Sequence, residues 1–161
     1  MGTRSTIALE YADGTVEQVY CHWDGYLDHN GKILQEHYSD PFKLQELINH
    51  GDLSSLGKLI GKKHPFSPAY NETDAAKKAA VQAAYDAAHD AGYCTFYARD
   101  RGEEGVSAKK FKDFADYKEN HQYEEYEYIL RQVEDKAVWF VDCGNGYVTL
   151  VEAFEKEKEE A

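Results

Sequence analysis

Apolar and polar positions along this chain alternate over short stretches, first with a strand period and then with a helical one. Residues 4–11 read as a strand, and Asp13-Gly14 offers the two positive-φ positions of a tight hairpin turn. Residues 16–22 then form the returning strand. If Val19 and Cys21 face the core, Tyr20 and His22 face the other side. Residues 24–31 carry glycine, aspartate and asparagine in loop proportions. Lys32 opens a short helix. A second helix begins at Pro41 with Asp40 as its cap, has Phe42, Leu44, Leu47 and Ile48 as its apolar stripe, and stops at Gly51. Residues 52–57 read as a capped turn and 59–65 as irregular chain.

Residues 71–91 predict the strongest helix, rich in alanine, capped by Asn71 or Thr73 and closed by Gly92. Its apolar face is thin, with Val81 and Tyr85 its only large members. A strand over 93–98 and a charged turn over 99–105 follow. Phe111, Phe114 and Tyr117 mark a short helix. Residues 123–133 alternate tyrosine with glutamate and suit a strand. Residues 137–141 form another, and Asn145-Gly146 marks a further turn. The reading is α+β: one mainly antiparallel sheet of about five strands with helices packed on it. Residues 1–154 form a single domain, and residues 155–161 a charged tail that frays.

Composition narrows the function classes. The 161 residues include 42% hydrophobic and 14% aromatic positions, enough for a real core. Charge is acidic, with 18 Lys and Arg against 30 Asp and Glu, for a net −12. The acid concentrates late: residues 1–80 carry 8 basic and 11 acidic side chains, residues 81–161 carry 10 and 19. Direct binding to nucleic acid or to a membrane surface is disfavoured, because both present negative charge. Three widely spaced cysteines make neither a disulfide framework nor a zinc pattern. No secretory signal and no membrane-spanning run is evident, so a cytoplasmic protein is expected.

Candidate chemistry gathers first in Tyr20-Cys21-His22-Trp23-Asp24-Gly25-Tyr26, at the exit of the second strand. Trp23 and Tyr26 offer stacking faces, while His22 and Asp24 offer hydrogen bonds or acid–base chemistry near neutral pH. A purely structural strand exit uses the same residues, with Trp23 plugging the core and Asp24 capping the loop. A metal site over Cys21, His22, Asp24, His29 and His37 is not expected, because neighbouring strand residues point apart. No cofactor is implied. Arg99 and Arg101 form the only arginine cluster and suit a phosphate or carboxylate. Glu119, Tyr123, Glu124, Glu125, Tyr126 and Glu127 interleave carboxylates with tyrosines, a composition that fits a partner surface.

Several of these motifs also carry a resemblance. Thr3-Arg4-Ser5-Thr6-Ile7-Ala8, the Asp13-Gly14 turn, Val19-Tyr20-Cys21-His22-Trp23-Asp24-Gly25-Tyr26, His37-Tyr38, Gly51-Asp52-Leu53-Ser54-Ser55-Leu56-Gly57 and Cys94-Thr95-Phe96-Tyr97-Ala98-Arg99-Asp100-Arg101-Gly102-Glu103 together resemble small uncharacterised proteins of phage and prophage genomes. The resemblance spans residues 3–105 and, more weakly, the closing strands. It implies a phage accessory protein in the cytoplasm of an infected bacterial host, and it carries no reaction and no site residues with it.

The leading expectation is a non-enzymatic binding protein. It would inhibit a host or anti-phage defence component by covering a basic surface with the acidic, tyrosine-rich segment. A second expectation is a sponge for a nucleotide signal, with Trp23 and Tyr26 stacking the base and Arg99 and Arg101 holding phosphate. A third is a small nucleotide-processing enzyme, with His22 as acid or base and Asp24 orienting it.

Overall fold

In the computed structural model, which describes residues 2–160, the N-terminal hairpin forms where its pattern predicts, but of the Asp13-Gly14 pair only Gly14 takes a positive φ, at +92°. β1 (Ser5–Glu10) and β2 (Val16–Cys21) pair antiparallel, from Ser5 opposite Cys21 to Glu10 opposite Val16. The Asp13 carboxylate anchors the turn by accepting from the backbone N–H and the hydroxyl of Thr15.

The local pattern does not foretell the other neighbour of β1. β6 (Tyr126–Val133) lies parallel to it, with Ser5 opposite Tyr126 and Leu9 opposite Leu130. Beyond β6, β7 (Lys136–Asp142) and β8 (Tyr147–Thr149) continue antiparallel. On the other side, β3 (Leu53–Ser55) extends parallel from the end of β2, and β4 (Thr95–Phe96) pairs with β3. β5 (Lys109–Phe111) pairs with the start of β2. The order is β4-β3-β2-β1-β6-β7-β8 with β5 beside β2. The class is α+β as expected, but the sheet has eight strands rather than about five and is mixed, because β1–β6 and β2–β3 are parallel. β3, β4, β5 and β8 are too short for alternation to register in the sequence.

The helices follow their caps and stripes, with corrections. A π-helical turn (Leu27–Gly31) runs into α1 (Lys32–His37), so part of the expected loop is helical. In α2 (Pro41–Asn49) the Asp40 carboxylate accepts from the Phe42 N–H at 3.0 Å, as its cap position predicts. Leu44, Leu47 and Ile48 are fully buried. Each such side chain contributes about 1.5–3 kcal/mol on leaving water. Phe42 was expected in that stripe and is 81% exposed. Two residues before Leu44, it lies about 200° around the helix, on the wrong face.

α3 (Ala75–Ala91) is capped by Asp74, not by Asn71 or Thr73, and Gly92 ends it at φ +79°. Ala88 is its only buried residue, so it stands almost clear of the body. α4 (Tyr97–Arg101) takes over the last two residues of the strand expected at 93–98. α5 (Phe114–Asn120) precedes β6, and α6 (Leu150–Glu160) closes the described chain. α6 crosses the expected boundary between a domain ending at 154 and a frayed tail. Leu150 and Ala153 are buried and Phe154 half-buried, which nucleates a helix that the charged residues then propagate.

Both faces of the sheet are covered. Ile7, Leu9, Val19, Cys21, Tyr128 and Leu130 face α1 and α2, while Ala8, Val16, Phe111, Ile129 and Tyr117 of α5 form a second, smaller core opposite. That second face includes a buried polar network. His121 directs Nδ1 to the Tyr117 carbonyl at 2.6 Å, so Nδ1 donates. Its Nε2 faces Glu127 Oε2, to which the Tyr147 hydroxyl also donates at 3.4 Å.

Burial raises the Glu127 carboxyl above its ordinary 4.5, partly offset by the bond and the charge of His121. A carboxyl whose folded value is raised contributes stability below its ordinary value and loses it as pH rises through the folded value. Urea titrations should therefore show stability falling as pH rises above that ordinary value, and Glu127→Gln should flatten this slope. Glu127→Ala leaves the buried His121 Nε2 without its partner and should cost about 1–3 kcal/mol. A variant as stable as the parent would show that the pair does not hold this face.

Candidate functional site

The exit of β2 is built as a corner. Val19 and Cys21 point into the core, and Tyr20 and His22 point away, as alternation requires. The His22 and Trp23 N–H groups continue the ladder by donating to the Leu53 and Ser54 carbonyls at 3.1 and 3.0 Å. Asp24 then turns the chain at φ 57°, a left-handed conformation that Asp tolerates better than most residues. Gly25 is required by contact: a Cβ there would stand 2.7 Å from Ser5 Cβ and 2.9 Å from the Thr3 carbonyl oxygen. Its carbonyl accepts from the Tyr128 hydroxyl at 2.6 Å.

Asn30, fully buried, ties this corner together and was not singled out in the sequence. Its amide donates to Ser5 Oγ at 3.2 Å and to the Trp23 carbonyl at 3.4 Å, and also approaches Cys21 Sγ. Burial pushes the Cys21 thiol up to about 12, which makes it inert as a nucleophile. The Tyr20 hydroxyl meets His22 Nδ1 at 2.7 Å, and the His22 ring stands edge-on to Trp23. The partner of His22 is thus Tyr20, not Asp24. Trp23 and Tyr26 remain 43% and 40% exposed, with Trp23 lying over Gly2.

The two arginines do not act as a pair. Arg99 donates to the Ile60 and Cys94 carbonyls at 2.9 and 3.0 Å and to both oxygens of Asp100, and it stacks on Phe96. Four of its N–H directions are spent inside the protein. Asp100 is itself buried, accepting from the His64 and Phe96 N–H groups. Arg101 points elsewhere, half-exposed, paired with Glu103 and stacked on both Phe66 and Tyr97. A phosphate here would meet Arg101 without Arg99. Among the described residues, neither arginine bonds to the loop that carries Trp23 and Tyr26.

The acidic segment separates into an exposed loop and a buried strand. The strand begins at Tyr126, not at 123, so Glu119, Tyr123 and Glu125 stay exposed and Glu124 half-exposed. Tyr123 is 65% exposed, its hydroxyl donating to the Lys118 carbonyl and its ring resting on His121. Tyr126 turns toward the larger core. Glu127, expected at a partner surface, is buried in the network under α5 and is removed from it. Alternation on the newly begun strand is the reason. A cavity of about 500 Å³ opens beside Tyr123, with Phe114, Phe140 and Tyr147 in its walls.

No three His, Cys, Asp or Glu side chains gather as a metal-ligand set among the described residues, and no helix is long and apolar enough to cross a membrane. The arginines give a direct contrast. Arg99→Ala strands the buried Asp100 carboxylate and should cost about 3–5 kcal/mol in chemical denaturation. Arg101→Ala removes an exposed ion pair and its stacking on Phe66 and Tyr97, and should cost about 1–2 kcal/mol. Equal losses would contradict these separate roles.

Family models, curated proteins and solved structures were each compared with the chain, and none matches it.

Proposed function

We propose that this protein is a non-enzymatic binding protein that engages a basic surface on a partner through its acidic, aromatic exterior. The observation that carries the proposal is Tyr123, a large aromatic side chain held 65% exposed beside a cavity and set among Glu119, Glu124 and Glu125. Tyrosine gives contact area at low entropic cost, and the surrounding carboxylates steer a cationic partner toward it. The net charge of −12 extends that steering over the whole molecule. Several reactive groups are taken up by the fold, which favours binding over catalysis. Cys21 and Cys94 are buried, Arg99 is spent on backbone carbonyls, and both ring nitrogens of His121 are occupied. The resemblance to phage proteins adds the class of target: a host or defence component that is disabled by being covered.

Affinity capture from bacterial lysate should yield a basic protein at low salt and release it as salt rises. The triple reversal Glu119→Lys, Glu124→Lys, Glu125→Lys should lose that protein while folding normally. A partner that withstands high salt, or one that the reversed variant retains, would overturn the proposal.

A further inference from the structure

The largest cavity among those described is not at Tyr123. It is a cleft of about 710 Å³ between α6 and the turn joining β7 to β8. Its floor is apolar: Leu27 and Ala153 are buried, Tyr126 is half-buried, and Val148 is 40% exposed. Its rim is acidic. Glu152, Glu155 and Glu159 recur along α6 at steps of three and four, which places them in one row facing the cleft, and Glu157 and Glu160 flank them. Lys156 is the one basic side chain in the lining.

The rim is already overcharged. Burial and the neighbouring Asp28 carboxylate on the π-helical turn raise the Glu157 carboxyl, while Lys32, paired with Asp28 at 3.5 Å, opposes the shift.

We infer that this cleft seats a basic amphipathic helix of a partner protein, with apolar side chains on the Leu27, Tyr126, Val148 and Ala153 floor and Lys or Arg along the α6 glutamates. The periodicity of the row selects a helix. A helix laid beside α6 repeats its own side chains every 5.4 Å, so basic residues three and four apart meet Glu152, Glu155 and Glu159 in turn. Charge selects the partner. A second copy of this chain would bring its own −12 against the same rim, whereas a cationic segment is drawn in. The inference rests on the acidic-surface reading above and gives it a second, deeper contact on a different part of the molecule.

Cys143 stands in the wall of the cleft and is exposed, whereas Cys21 and Cys94 are buried. It can report occupancy in the intact protein. The probe is a designed Leu/Lys amphipathic helical peptide with a terminal cysteine activated as its thionitrobenzoate disulfide. The Cys143 thiolate attacks the peptide sulfur, a peptide–Cys143 disulfide forms, and coloured thionitrobenzoate leaves.

If the helix docks, release should saturate with peptide concentration. It should run at least about tenfold faster than with a scrambled peptide of the same composition, because docking raises the effective concentration of the sulfur. Glu155→Lys with Glu159→Lys, both exposed positions, should abolish the preference, as should Val148→Asp. Cys143→Ser should abolish release. Equal rates with the scrambled peptide, or a preference that survives Glu155→Lys with Glu159→Lys, would overturn the inference. Anisotropy of a fluorescent copy of the peptide separates the two readings. Salt-sensitive binding without a preference at Cys143 leaves the acidic-surface reading standing and removes the cleft. No binding at low salt, together with no captured basic partner, removes both.

Discussion

The constraint on which the structure depends is the placement of β1 between two strands of different origin. Residues 5–9 are all buried, with the hairpin partner β2 on one edge and the parallel strand β6 on the other. A strand so enclosed must satisfy both faces. Ile7 and Leu9 go to one side, Thr6 and Ala8 to the other. The first side takes the aliphatic core with α1 and α2. The second takes aromatic rings and the His121–Glu127–Tyr147 network, because the small Ala8 leaves room there for large neighbours from other elements. Parallel pairing also demands a long crossover. Everything from α1 to α5 lies within it, including the short strands that widen the sheet.

The chemically dense segment at the end of β2 is explained largely by this geometry. Where β2 leaves the sheet, the chain must turn inside a confined space against Ser5 and Thr3. Asp24 and Gly25 supply the turn, and Asn30 and Cys21 satisfy its buried polar groups. Residue types that look reactive in the sequence are in several cases the ones best able to bridge backbone groups. Arg99 repeats the lesson. An arginine with buried carbonyls and a buried carboxylate around it is a cross-link between segments, not a hand extended to a ligand. What stays on the surface from these motifs is aromatic Trp23, Tyr26 and Tyr123 together with charged Arg101, Glu119 and Glu125.

Charge works on a different scale. Carboxylates at the end of α5, on the loop that follows it and on α6 are solvated, and their mutual repulsion is tolerated because water and salt screen it. Such a surface costs the folded state little and attracts cations over several ångströms. The α6 rim differs from an ordinary solvated face because an apolar floor lies beneath it. Charge there is joined to the hydrophobic contact that would hold a partner after charge had drawn it in.

Local sequence determined the parts whose causes are local. The β1–β2 hairpin, the Asp40 cap with Pro41, the α3 helix with its Gly92 stop and the α+β class all follow from residues within a few positions of one another. Acidity belongs to the same category. Tertiary structure decided what depends on distant neighbours. The parallel partner of β1, the strand start at Tyr126 that withdrew Glu127, the capture of Arg99 by Asp100 and two carbonyls, and the extension of α6 to Glu160 have no local signature. Each is fixed by which groups must be buried or hydrogen-bonded once the chain closes on itself. That condition is imposed by residues far away in sequence, and short-range patterning does not encode it.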